Sequence, residues 1–377
     1  MGTVAYLARE IEHGLRRMHP RLRKTIVKKL APAIAAVIQT QTANTAQWAA
    51  VLPIATERTD MRQQWIARLL ANRLLQSVVI MEPLARHRLG EAAANGQVIA
   101  LSMDQTDIGD RFAILMVSVR VGDRALPLIW SVEAGAANLG WEAQRALLQI
   151  VAGWLPAGAP VLLAADRFYP SAALIAWLQA RNWGYRLRLK GNHVVDVGRA
   201  DVASTAELAR GATYRGEVGA RLFEHGIETN IGIWHEPGHP EPWIIAMDCP
   251  PTLAAVRDYG LRWGIEPMFS DFKSRGFGLE DTQLRYSIRV DHLVLIMTLA
   301  MYWCTETGYR DAHDAPTPLE KTAAAQTDPK HWSFRKLARS CLSWFQRGLR
   351  KLLRLAEIGR PLPSFGPAPL STFNPSG

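Results

Sequence analysis

Apolar positions change period along this chain, and the changes mark its elements. Val98–Met103 is an apolar, strand-like run ending at Asp104. Phe112–Val121 and Arg124–Val132 repeat the pattern on either side of Gly122-Asp123, a pair suited to a tight hairpin turn. From Trp141 to Trp154 the apolar residues recur at helical spacing. Val161–Ala165 is a short buried strand closing at Asp166, Ser171–Ala180 is helical, and Gly184–Leu189 returns to strand. The predicted order over residues 96–190 is β-β-β-α-β-α-β.

An antiparallel meander that continues through crossover helices is an α/β arrangement, and this one fits a ribonuclease H-like core. Residues 191–255 interrupt it. They are Gly-rich, with short alternating segments at Thr213–Val218, Arg221–Phe223, Asn230–Trp234 and Pro242–Met247, which predicts a β-rich insertion. Helical spacing resumes at Thr252 and carries through 259–273, and Ile288–Trp303 predicts a further apolar helix, so residues 256–310 complete the core. Ahead of the sheet, residues 1–95 read as helical, with one run from RLRKTIVKKL to AAVIQ and another over roughly Met61–Val79. Behind it, residues 311–377 hold a low-complexity linker at 311–330 and an amphipathic segment from Trp332 to Ile358.

Charge gives this layout a direction. The 377 residues carry a net charge of +10 and are 48% apolar, a globular composition whose basic balance suits a polyanion such as nucleic acid or an acidic membrane. The excess gathers at the ends: eight Lys/Arg face two Glu in residues 1–50, and nine face one between Lys330 and Arg360. The N-terminal region reads as a DNA-binding domain, or as a solvated basic bundle packed on the rest; no single helix-turn-helix stands out. The C-terminal segment suits DNA, a second subunit, or a solvated helix face. The opening residues lack a signal-peptide pattern, and the longest apolar run, within Leu293–Trp303, is too short to span a bilayer. No membrane partner is expected. Cys249, Cys304 and Cys341 are too scattered for zinc or a disulfide framework, which makes a reducing cytoplasm the simplest home.

The candidate chemistry starts with Asp104 and Asp166, carboxylates at predicted strand ends, where functional groups gather in such sheets. Each also reads as an ordinary turn residue; Asp107 and Asp110 compete with Asp104 but fall in the polar turn beyond the predicted strand. The stretch YGLRWGIEPMFSDFK, Tyr259–Lys273, adds a third acid. Arg262, Glu266 and Lys273 follow Tyr259 by 3, 7 and 14 positions, which on one continuous helix puts all four side chains within roughly 60° of arc. A solvated charge stripe has the same spacing. Three clustered carboxylates repel one another. Two Mg²⁺ ions, which take hard oxygen ligands and few protein groups each, would relieve the repulsion and serve phosphodiester chemistry, with Arg262 and Lys273 holding phosphates beside them. Pro267 adds one complication: a kink at 266–267 would rotate Lys273 relative to Arg262. His235-Glu236-Pro237-Gly238-His239 spells a zinc-protease pattern, but the central Pro-Gly forbids the helix that pattern needs.

Tyr259-x2-Arg262-x3-Glu266-x6-Lys273 resembles, without a gap, the Tyr-Arg-Glu-Lys signature of bacterial insertion-sequence transposases of the DDE class. Asp104 in SMDQTD and Asp166 in LAADRFYP resemble that family's first and second aspartates. RLRLKGN (186–192) resembles the stretch after the second aspartate's helix, and GFGLEDTQLR (276–285) the segment after the signature. The resemblance spans about 95–303. It implies cut-and-paste transposition: Mg²⁺-dependent hydrolysis at transposon ends, with Mn²⁺ able to substitute, followed by attack of the freed 3′-OH on target DNA. Asp104, Asp166 and Glu266 would be the catalytic metal ligands. Tyr259, Arg262, Lys273, Arg188 and Lys190 would contact DNA. Trp243 would stack on a flipped base, or pack within the sheet. The implied partners are double-stranded DNA, at transposon ends and target, and a second copy of the chain in the DNA complex. Two rivals share most of these residues: a structure-specific nuclease on the same core, which would cut without joining, and a transposase-derived DNA-binding protein, which would do neither.

Overall fold

The computed structural model describes residues 2–198, 203–224, 226–236, 238–318 and 342–367. The chain divides into two units: residues 1–83 with 270–377, and residues 84–269.

Helices make up the first unit. α1 (Thr3–Met18) packs on α2 (Lys24–Thr40), whose apolar residues from Ile26 to Ile38 are almost all buried. α3 (Thr45–Val51) and α4 (Thr59–Leu70) follow, and α5 (Ser77–Ala92) begins here and continues into the second unit. The single helix expected over Met61–Val79 is thus two. Asn72 breaks it: its Oδ1 accepts the Leu74 amide at 3.1 Å, the local turn by which Asn competes with helix. α11 (Ser287–Asp314) has 28 residues, far more than the Leu293–Trp303 run and reaching into the expected linker. By length and composition it could cross a bilayer, but 83% of its most apolar window is buried within the protein, as for a core helix. α12 (Trp344–Glu357) buries Phe345, Gly348, Leu349, Leu352 and Ala356, and packs along α11. The two backbones approach where both lack a side chain. A Cβ on Gly308 would fall 1.7 Å from the Trp344 carbonyl oxygen, and one on Gly348 1.7 Å from that of Cys304. Arg347 and Lys351 of the basic face each pair with Asp311 at 2.5 Å. The rest of the expected linker and the first part of the expected Trp332–Ile358 segment lie outside the described residues.

The second unit is built on one ten-stranded mixed sheet, in the order β3-β2-β1-β4-β5-β10-β9-β8-β6-β7. β1 (Ile99–Ile108), β2 (Phe112–Val121) and β3 (Arg124–Ala134) form the expected antiparallel meander. Gly122, at φ 62°, takes the left-handed turn position that glycine alone adopts freely. β2 is buried from Phe112 to Val119, which is why its sequence shows no alternation. α6 (Trp141–Trp154) leads to β4 (Val161–Ala165), and α7 (Ala172–Gln179) to β5 (Gly184–Arg188); both strands run parallel to β1.

The region 191–255 is β-rich as expected, and it extends this same sheet. β10 (Trp243–Met247) pairs antiparallel with β5, β9 (Ile227–Trp234) with β10, and β8 (Tyr214–Leu222) with β9. β8 merges the two segments expected at Thr213–Val218 and Arg221–Phe223. Gly219, at φ 66°, supplies the irregularity between Glu217 and Ala220 that lets them run on as one strand. β6 (Val194–Asp196) and β7 (Ala203–Ser204) close the edge before the short helix α8 (Thr205–Ala209).

Candidate active site

Asp104 does not end its strand. β1 runs on to Ile108 because its pairing with β2 continues to Ile108↔Phe112. Its parallel pairing with β4 stops at Met103↔Ala165, so Asp104 and Asp166 are the next residues beyond that ladder, side by side at the carboxyl end of two parallel strands. Asp107 also lies within β1, contrary to its expected place in a turn. An odd offset from Asp104 turns it to the opposite face, where it accepts a hydrogen bond from Gln105 Nε2 at 2.9 Å.

The stretch around Tyr259 is not one helix. α9 (Leu253–Arg257) passes into a 3₁₀ segment, Asp258–Gly264, and then into α10 (Ile265–Phe272). The change of helix type comes before the expected kink, and Pro267 sits in the first turn of α10, where a missing N–H is tolerated. Arg186 anchors the entry: its guanidinium donates to the Ala255 carbonyl and to Asp248, both at 2.7 Å, and pairs with Asp258 at 3.4 Å. Arg120 donates to the Leu261 carbonyl at 2.7 Å. Gly264 lies against the Arg124 backbone, where a Cβ would meet atoms 3.0 Å away. In the 3₁₀ segment residues three apart are nearly eclipsed, so Tyr259 and Arg262 share a face, and Glu266 follows Arg262 one α-turn later.

These elements bring six side chains together. Arg262 Nη1 donates to Asp104 Oδ2 at 2.7 Å, and Nη2 to Glu266 Oε1 at 2.8 Å. Tyr259 donates to Asp166 Oδ1 at 3.2 Å. Asp104 Oδ1 accepts from the Gln105 amide at 2.9 Å and from Tyr169 at 3.4 Å. The Arg262 side chain is only 7% exposed, whereas that of Glu266 is 59% exposed, so the cluster opens to solvent on the glutamate side. Burial pushes the Asp104 carboxyl up to about 6; Asp166 and Glu266 add to the rise, and Arg262 and the Gln105 amide oppose it. Burial works against the Arg262 charge, but Tyr259 and the three carboxylates outweigh it and hold the guanidinium protonated. Burial also raises both phenols, so Tyr169 and Tyr259 remain neutral donors.

Among the described residues no three Asp, Glu, His or Cys side chains are drawn together as a ready-made metal cluster. The Arg262 guanidinium lies between Asp104 and Glu266. Asp104, Asp166 and Glu266 are nonetheless the residues that could each offer oxygens to a hard divalent cation such as Mg²⁺, which needs only one or two carboxylates with water for the rest.

The remaining residues singled out in the sequence are more dispersed. Trp243 meets Tyr259, Trp263 and Trp234 edge-to-face, with ring centroids 5.1, 5.3 and 5.4 Å away, so it backs the site as part of an aromatic wall. Arg188 pairs with Glu241 at 3.4 Å, and the Lys190 ammonium lies 4.6 Å from the centre of the Phe168 ring. Lys273 follows α10, belongs to the first unit, and pairs there with Glu280 at 2.8 Å. Sequence reasoning gave no role to Tyr169 or to Arg186, although they stand inside the quoted stretches LAADRFYP and RLRLKGN (186–192).

No curated protein matches the chain. Residues 142–303, which include Asp166, Tyr259, Arg262 and Glu266 and begin after Asp104, match the family described as the transposase DDE domain, and this match supports a DDE-type transposase.

Proposed function

We propose that the protein is a DNA transposase that hydrolyses one strand at each transposon end and joins the freed 3′-OH to target DNA. The observation that carries the reading is that Asp104 from β1 and Glu266 from α10 share one buried arginine, while Asp166 from the end of β4 is held by Tyr259 within the electrostatic reach of that arginine. The order β3-β2-β1-β4-β5, a meander followed by two parallel strands, supports a ribonuclease H-like core.

Asp104, Asp166 and Glu266 would hold Mg²⁺ or Mn²⁺, and the ion, when bound, supplies electrostatic stabilisation to the oxygens of a phosphodiester under attack. The chain's own groups do the rest. Tyr169 and Tyr259 stay protonated and orient the two aspartates by hydrogen bonds. Arg262 offers a permanently charged fork whose carboxylate partners a phosphate would have to compete with for its N–H groups. Arg188, Lys190 and Lys273 engage the backbone of double-stranded DNA, and Trp243 offers a ring to a displaced base. A homodimer would pair the two ends, in the cytoplasm.

The test is a strand-transfer assay with the DNA that flanks the coding sequence as donor and a supercoiled plasmid as target. Wild type with Mg²⁺ is expected to give joined products; EDTA or Glu266→Gln is expected to abolish them, by at least about 100-fold in rate. Cleavage without joining would favour a nuclease, and binding without either would leave only a DNA-binding protein.

A further inference from the structure

The turn that presents Asp166 also presents an aromatic ring to solvent. The Tyr169 amide donates to the Asp166 carbonyl at 3.1 Å, so Arg167 and Phe168 are the two central residues of a β-turn. Both ends of that turn are fixed: Tyr169 is 3% exposed, and Ser171 caps α7 by accepting the Leu174 amide at 3.2 Å. Phe168 at the corner is 51% exposed. A lone exposed phenylalanine is ordinary; this one stands on a built platform. The Lys190 ammonium covers one side of the ring at 4.6 Å. Arg167 and Arg188 share a single carboxylate, Glu241, at 3.2 and 3.4 Å. The three cations lie at or just beyond the ends of β4 and β5 and the one acid precedes β10, at the same end of the sheet that carries Asp166.

We infer that Phe168 is the stacking platform for an unpaired nucleobase of the DNA strand leading away from the reacting phosphate, with Lys190, Arg167 and Arg188 along its backbone. The inference rests on the transposase reading and adds to it a path for one strand. An apolar protein segment would satisfy the ring but strand the cations in a drier environment. A nucleotide chain satisfies both, because each unit carries a flat face and a charge. Duplex interiors offer no free base face, so the occupant is a frayed or single-stranded end. The fixed turn means that little conformational freedom is lost on stacking.

The experiment uses the full chain in EDTA, with two probes of arbitrary sequence: a blunt duplex, and the same duplex with a short unpaired tail containing 2-aminopurine. Wild type is expected to bind the tailed duplex more tightly and to quench its fluorescence. Phe168→Ala and Phe168→Leu, the second keeping volume without the π-face, should lose the quenching and bind the tailed duplex about 5- to 100-fold more weakly. Their affinity for the blunt duplex should change less than about twofold, and Phe168→Trp should retain both signals. Equal binding and quenching by wild type and both variants would overturn this inference and leave the transposase reading standing. Failure of wild type to bind either DNA at low salt would remove both. Equal loss of affinity for polyglutamate and for tailed DNA would assign the platform to acidic polypeptides and overturn the nucleobase.

Discussion

Asp104 is partly buried near two other carboxylates, and its carboxyl is pushed up to about 6 from an ordinary 3.8. The folded state therefore holds that proton more tightly than the unfolded chain. The stability from this group is full below about pH 4 and is lost as the pH rises through about 6. A shift of about two units corresponds to about 3 kcal/mol before solvent screening, less what is lost when Arg262 keeps only Glu266 as an ion-pair partner. Asp104→Asn is accordingly expected to be more stable than wild type by about 1–3 kcal/mol at pH 7.5 in EDTA, with the gap closing toward pH 4. Denaturant unfolding at the two pH values measures it; an unchanged or lower midpoint for the variant at pH 7.5 would mean that Arg262 already offsets the burial of the charge. Stability sacrificed at one residue is what a site shaped for a charged ligand shows.

The elements explain which parts of the site the sequence could announce. Asp166 is legible because Val161–Ala165 is a short apolar run with the acid immediately after it, so strand end and carboxylate coincide. Asp104 is legible as a candidate, and so is the strand that leads to it, but not that strand's end, since the pairing that carries β1 to Ile108 depends on where β2 lies. Tyr259, Arg262 and Glu266 show their spacing in the sequence. The switch from 3₁₀ to α geometry does not show, because it is imposed by Arg186, Arg120 and Gly264 through contacts remote in sequence. The glycine pair between α11 and α12 illustrates the same limit, for neither position signals a helix crossing by itself. Gly348→Ala is expected to destabilise by about 1–3 kcal/mol, since a methyl group there must push against backbone. Gly153→Ala in α6, where nothing lies within 4 Å, should instead be neutral or stabilising by up to about 1 kcal/mol. Thermal melts of the pair check this, and equal shifts for both would mean that the α11–α12 contact yields without cost.

For the whole molecule, the charge of +10 makes salt the first variable in any binding experiment. Affinity for DNA should fall linearly on a log–log plot against salt, with a slope of about −0.9 per phosphate neutralised. Arg188→Gln should make the slope shallower by about one, and Glu266→Gln should leave it unchanged. Filter binding across a salt series would read both; an unaltered slope for Arg188→Gln would remove that residue from the DNA contacts. The division of the chain has a consequence of another kind. α2 buries its apolar residues in a unit that also needs α11 and α12, yet residues 84–269, the entire sheet-bearing unit, lie between them in the chain. At about 5–20 residues per second of synthesis, α2 leaves the ribosome on the order of 10–40 s before α11 exists. During that interval α2 has α1 to pack on but not α11 or α12, so the packing of the part of the protein made first is the packing completed last.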